Sequence, residues 1–169
     1  LGSPLGLALR LEWGVVLAWA LGLTSLAFLF GITARTAAGT DAGGSVEEAV
    51  VRLGGRQGGV VAWLGYEFLY LSVLVAFAAA GQISALRNEE AEGHVDHLLA
   101  RPAGRTTWLA GRLTIAAGLV VLAGVGTAAG AWAGVAGHGG LSATELAQAG
   151  ANVAVPGLFV LGLGTAVYG

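Results

Sequence analysis

The sequence predicts an all-α, polytopic transmembrane helical bundle of four spans, with an amphipathic charged segment on the cytoplasmic side. Three observations lead there. The 169 residues are 56% apolar and only 11% charged, where a soluble domain carries about 25% charged residues. Mean hydropathy is +0.77, so such a chain needs lipid as its solvent. Four apolar runs approach the roughly 20 residues that a helix needs to cross a hydrocarbon core of about 30 Å. The 30 glycines exceed what a soluble helical protein carries, and glycine lets membrane helices approach closely.

Composition also excludes function classes. There is no cysteine, hence no disulfide, thiol chemistry or Cys-ligated metal. A net charge of −2 does not suggest nucleic acid as a partner. No GxxxxGK[ST] phosphate loop occurs, and no Ser/His/Asp arrangement has supporting context, so no catalytic residue is assigned. Glu90, His94 and His97 share a helical face, but the HExxH order is absent and the site would be exposed, so no metal site is assigned. The chain has no methionine, even at position 1, and its last residues stop without a polar flank. Both features are expected of a piece of a longer polypeptide.

The chain reads as a single transmembrane domain over 1–169. Ser3-Pro4 is a helix start, and residues 5–11 are expected along the cytoplasmic interface before the first span, 13–34. The outer loop, 35–59, holds Ser45-Val-Glu-Glu48, a capping-box pattern. It predicts a short helix over 46–53, ended by Gly54-Gly55. The second span, 60–83, is broken only by Glu67. The third is 113–136. In it Gly126, Gly130 and Gly134 recur every four residues, the small-residue face along which membrane helices pack. The fourth, 146–168, contains Asn152 and Pro156, and Pro156 predicts a kink. Trp13, Trp63, Trp108 and Trp132 fall near span ends, as interfacial aromatics do.

Arginines set the orientation. Arg10, Arg87, Arg101, Arg105 and Arg112 lie on one side, against Arg35, Arg52 and Arg56 on the other, so the N-terminus and the 86–112 connector are read as cytoplasmic. This connector holds four of the eight arginines and four of the ten acids. The helix of the second span is expected to continue through Ile83 and Leu86 into it, with Leu86, Val95, Leu98 and Leu99 interleaved with Arg87, Glu89, Glu90, Glu92 and Asp96. Gly93 loosens the middle, Pro102 forces a turn, Thr106 or Thr107 can cap the next helix, and Trp108 and Arg112 anchor it at the interface. Interfacial helices are Lys/Arg-rich on their polar face, whereas 89–96 is acidic, which favours a protein partner over anionic lipid. On the residues alone, a docking surface and a solvated loop both stand.

Glu67 lies seven residues into its span, roughly 10 Å from the outer end. Intramembrane acids are costly and are functional candidates. Glu67 either meets a cationic substrate group or proton, or snorkels and pairs with Tyr66 or a hydroxyl of another span.

A resemblance sharpens this reading. Arg87-Asn-Glu-Glu90-Ala-Glu-Gly93, Leu98-Leu99-Ala-Arg-Pro102 and Arg105-Thr-Thr-Trp108 resemble the cytoplasmic connector of type-2 ATP-binding-cassette exporter permeases. They are most similar to the actinobacterial polyketide antibiotic (tetronasin-type) exporters. Ser3-Pro4-Leu5 with Arg10 resembles the start of the second repeat in those proteins. The likeness runs over most of the chain, but only 87–109 is specific. It implies a bacterial plasma-membrane permease without ATPase motifs, one part of an exporter of lipophilic or amphiphilic compounds. Its partners would be a separate ATP-binding-cassette nucleotide-binding subunit, which holds ATP and Mg, the remaining spans of the same permease, and the lipid bilayer. No cofactor would be bound by this chain. The resemblance further implies that Arg87, Glu89, Glu90, Gly93, Leu98, Leu99, Pro102 and Arg105 form a coupling helix and turn. It places a substrate path along the first and second spans, with Thr24, Ser25, Tyr66, Glu67 and Tyr70 as polar lining. Two other functions fit the residues: an ion-coupled carrier using Glu67, and a non-transporting membrane scaffold or sensor that recruits a cytoplasmic partner.

Overall fold

The computed structural model describes residues 4–37, 40–52, 59–91, 105–136 and 141–168. Five α-helices follow one another: α1 (Pro4–Ala37), α2 (Asp41–Arg52), α3 (Gly59–Ala91), α4 (Arg105–Val135) and α5 (Ala143–Tyr168). No strand occurs among the described residues. α1, α3, α4 and α5 are long and apolar enough to cross a membrane.

The helices outrun the apolar runs because nothing in the chain stops them at the membrane edge. α1 is 34 residues, about 51 Å at 1.5 Å per residue, and starts at Pro4, where a missing N–H costs no helical hydrogen bond. Residues 5–11 are therefore the first turns of α1. α3 continues through Leu86 to Ala91, since no Gly or Pro interrupts it after Gly81. It opens on Gly59, whose φ of +62° is a conformation that glycine adopts without strain.

Three caps differ from expectation, the first being that α4 begins at Arg105, so Thr106 and Thr107 lie inside its first turn and do not cap it. α2 begins at Asp41, with the Thr40 carbonyl accepting the Gly44 N–H at 3.2 Å. Ser45 is therefore inside the helix and does not cap it. The capping box is instead at Ser142-Ala-Thr-Glu145. There the Glu145 carboxylate accepts the Ser142 N–H and hydroxyl, both at 2.8 Å, and the Glu145 N–H donates to Ser142 Oγ at 3.2 Å. This reciprocal pairing satisfies first-turn donors of α5 that have no intrahelical partner. α5 runs unbroken through Pro156. Gly54 and Gly55 lie outside the described residues.

α1 and α4 run parallel and share the most extensive contact, followed by α3 with α5, also parallel, and α4 with α5, antiparallel. α3 meets α1 and α4 far less extensively, and α2 rests on α3. Small residues bring the backbones together. A Cβ on Gly130 would collide with the Thr24 carbonyl oxygen and approach Phe28 N at 3.1 Å, and one on Gly134 would collide with the Phe28 carbonyl. At Gly126 it would strike the Thr24 hydroxyl. Gly124 and Gly150 do the same between α4 and α5, each against the other's carbonyl. Lipid supplies no hydrophobic drive between helices, so such close van der Waals packing is what holds them. Leu71 and Val75 of α3, Leu119 and Val120 of α4 and Val153 of α5 are fully buried at the centre. Phe77, Val125, Phe159 and Val167 are more than 60% exposed, an outward apolar face suited to lipid or further spans.

Candidate functional site

Two polar clusters interrupt the apolar bundle. The first joins three helices. Arg112, in the second turn of α4, is 6% exposed. Its Nη1 forms an ion pair with Glu12 of α1, and its Nη2 forms one with Glu89 in the last turn of α3. Glu12 is 9% exposed, and its Oε2 is buried without a hydrogen-bond partner. Arg112 is therefore not a headgroup anchor. It is an internal cross-link, and the planar guanidinium suits this because its two ends serve different carboxylates.

The second cluster lies near the other end of α1 and α3. Glu67 is 6% exposed. Its Oε1 accepts the Thr33 hydroxyl at 2.9 Å and the Trp63 indole N–H at 2.5 Å. Its Oε2 is buried without a hydrogen-bond partner. The partners are thus a hydroxyl of another span and a tryptophan one turn away; Tyr66 does not contribute, because its hydroxyl pairs with Tyr70 at 2.6 Å. Twenty-one residues separate Glu12 from Thr33, roughly 32 Å of helix. That is close to the thickness of a hydrocarbon core, about 30 Å, so the two clusters lie toward opposite ends of the bundle. Trp13 and Trp108 sit with the first cluster, and Trp63 and Trp132 toward the end of the second.

The polar residues expected along a path are spread over α1 and α3. Thr24 faces α4 beneath Gly126, its hydroxyl donating to the Ala20 carbonyl at 2.7 Å. Ser25 is exposed beside it. Tyr66 and Tyr70 stack edge to face, centroids 5.1 Å apart, with Tyr70 exposed. An open groove of about 560 Å³ between α4 and α5 is lined by Gly124, Ala128, Trp132, Gly150 and other apolar residues, and by none of these five.

Of the connector residues, Arg87 is exposed, Glu89 is turned onto Arg112, and Glu90 is half-buried. Arg105 starts α4. Gly93, His94, His97, Leu98, Leu99 and Pro102 lie outside the described residues. No cluster of metal ligands occurs among the described residues. Glu12 escaped the sequence reading because it precedes the first apolar run. The signal was available in depth arithmetic, since Glu12, Glu89 and Arg112 each lie near the same end of a span.

Four membrane-length helices packed through glycine, with ionisable clusters toward both ends, define a multi-pass helical membrane protein. A sequence family described as "Multidrug efflux system permease Rv1217c, C-terminal domain" matches residues 1–169, and the chain belongs to that family. Among curated proteins, the multidrug efflux system permease protein Rv1217c of Mycobacterium tuberculosis is 32% identical over 118 residues, covering 69% of this chain and 21% of that protein. The matched region thus spans about a fifth of the relative's length. No solved structure matches the chain.

Proposed function

We propose that the chain is part of the permease of an ATP-driven exporter, which moves lipophilic or amphiphilic compounds, drug-like or polyketide-like, outward across a bacterial plasma membrane. ATP and Mg are handled by a separate ATP-binding-cassette subunit, and this chain catalyses nothing. The observation that carries the reading is the match of the whole chain to a multidrug efflux permease family. The apolar outward faces support it, because they suit the lipid and remaining spans that a larger permease would supply.

In this reading the N-terminus and the 86–112 connector are cytoplasmic, and the connector receives the partner's motion. Arg87 and Glu90 set its orientation through charge-assisted hydrogen bonds, and Leu98 and Leu99 fill a cleft on the partner. Gly93, Pro102 and Arg105 shape the turn into α4. Glu89 acts from inside, through Arg112. A substrate path along α1 and α3 would need neighbouring spans to complete it, with Ser25, Tyr66 and Tyr70 at its wall.

The test is co-purification of the full-length tagged protein from mild detergent. An ATP-binding-cassette subunit retained by wild type and lost from the Arg87→Ala/Glu90→Ala variant supports the reading. A clean preparation without an ATPase contradicts it. One observation favours a second reading, an ion-coupled carrier: the buried Glu67 carboxyl has one oxygen without a hydrogen-bond partner. Under that reading Glu67→Gln abolishes transport.

A further inference from the structure

Arg112 is one cation shared by two acids, and the two arms are unlike. The side chain of Glu12 is 11% exposed and that of Glu89 is 38% exposed. Water screens the Glu89 arm and can solvate its carboxylate on release, whereas Glu12 would be stranded in a buried place without Arg112. The cluster carries a net −1, and Glu12 Oε2 has no donor. Release of Glu89 forfeits its attraction to Arg112 but relieves its repulsion from Glu12, so the Glu89 arm is the weaker of the two.

The surrounding packing has the same asymmetry. α1 and α4 are joined backbone to backbone through Gly126, Gly130 and Gly134. α3 touches this pair far less extensively and has its main contact with α5. Apolar side chains would join three helix ends at least as well as a buried ion cluster. What ions add is a link of fixed register that can be made or broken, the kind of two-state element on which conformational switches are built.

We infer that Arg112 is the fixed centre of a latch: the Arg112–Glu12 arm stays made, while the Arg112–Glu89 arm opens and closes. Through it the end of α3 docks on, and leaves, the α1–α4 pair during the transport cycle. Arg112 and Glu89 are positioning residues. They contact no substrate, and they act where the two helices that bound residues 92–104 meet. This deepens the exporter reading and rests on it for the force that opens the latch.

The test is a spin-label distance between Arg10→Cys and Asn88→Cys, both at exposed positions, in the full-length permease in nanodiscs. This chain has no native cysteine, and any elsewhere in the polypeptide is replaced. Wild type at rest gives one short distance. Glu89→Gln, nearly isosteric, makes a longer distance the major population. Arg112→Lys, whose single ammonium cannot fork between two carboxylates, gives a mixture of both and covers the case in which Glu89→Gln is not recovered. A distribution unchanged from wild type in the recovered variants overturns the latch. A wild-type sample with the ATPase subunit, ATP and vanadate separates the two ideas. If the variants lengthen the distance and trapped ATP does not, the Arg112–Glu89 arm is a static tie and the latch fails, while co-purification of the ATPase subunit still decides the exporter reading. If trapped ATP lengthens it and the variants do not, the latch fails and ATP coupling stands.

Discussion

Replacing Gly130 by alanine adds a single methyl group at the tightest part of the α1–α4 contact. The new Cβ would meet the Thr24 carbonyl oxygen, Phe28 N at 3.1 Å and Ala27 Cβ at 3.2 Å. Two of these are backbone atoms and the third is fixed to its backbone, so no rotamer change makes room. Ordinary contact lies near 3.5–4.0 Å, so α1 and α4 must part by roughly 1 Å at this level, loosening the contacts at Gly126 and Gly134 as well. Overpacking of a tight interior costs about 1–3 kcal/mol. Gly118 is the control: it lies on the same helix, and a Cβ there meets nothing within 4 Å. Both substitutions gain the same helix propensity, so their difference isolates the steric cost. It corresponds to roughly a 5- to 150-fold change in the folded-to-unfolded ratio. Titrating the purified full-length permease with SDS from mixed micelles, followed by tryptophan fluorescence, reads it directly. Gly130→Ala should unfold at a lower SDS fraction than Gly118→Ala. Coincident midpoints would refute the claim that α1 and α4 touch backbone to backbone here.

Other outcomes follow from the two polar clusters and the cap. Arg112→Leu leaves two acids without their cation and should destabilise by about 3–5 kcal/mol, mostly through the buried Glu12, because the Glu89 arm is screened; the same SDS titration measures it, and adding Glu12→Gln should restore part of the loss. Glu67→Gln keeps the acceptor for Thr33 and Trp63 and removes a buried charge at the cost of a buried amide without a partner, so its SDS midpoint should move less than that of Glu67→Ala, which loses both hydrogen bonds. Transport by Glu67→Gln should match wild type at every pH tested under the exporter reading, and a loss would instead favour the ion-coupled carrier. Ser142→Ala removes a side of the capping box, so hydrogen exchange should quicken in the first turn of α5 and leave its centre unchanged.

Much of the fold was legible because membrane helices declare themselves by length and hydropathy. The four apolar runs became the four long helices, since each contains enough consecutive apolar residues to require a helix in lipid. Helix ends were less legible. Hydropathy stops where charge begins, but a helix stops only at a breaker or a cap: α3 runs on through Leu86 to Ala91, as expected, whereas α4 begins at Arg105, ahead of the third apolar run. In the outer loop, the helix expected over 46–53 starts earlier, at Asp41, and takes Gly43 and Gly44 inside it. The true capping box, Ser142 to Glu145, has the same S-x-x-E spacing as the false one at Ser45 to Glu48, and only the fold separates them. Glu67 was legible as an intramembrane acid that a hydroxyl of another span could pair with; which hydroxyl was not, because Thr33 is 34 positions away, and the Trp63 indole was not foreseen. The Arg112 cluster depends on which helices are neighbours, and hydropathy does not encode that. Read singly, Arg112 and Glu89 looked like a lipid anchor and a docking charge.

The most direct measurement is transport of a lipophilic fluorescent dye into inside-out proteoliposomes that hold the full-length permease with its ATPase subunit. ATP should drive accumulation of the dye, dissipation of the proton gradient should leave it unchanged, and Glu67→Gln should behave as wild type. Accumulation that ignores ATP, follows an imposed proton gradient and disappears in Glu67→Gln would contradict the account.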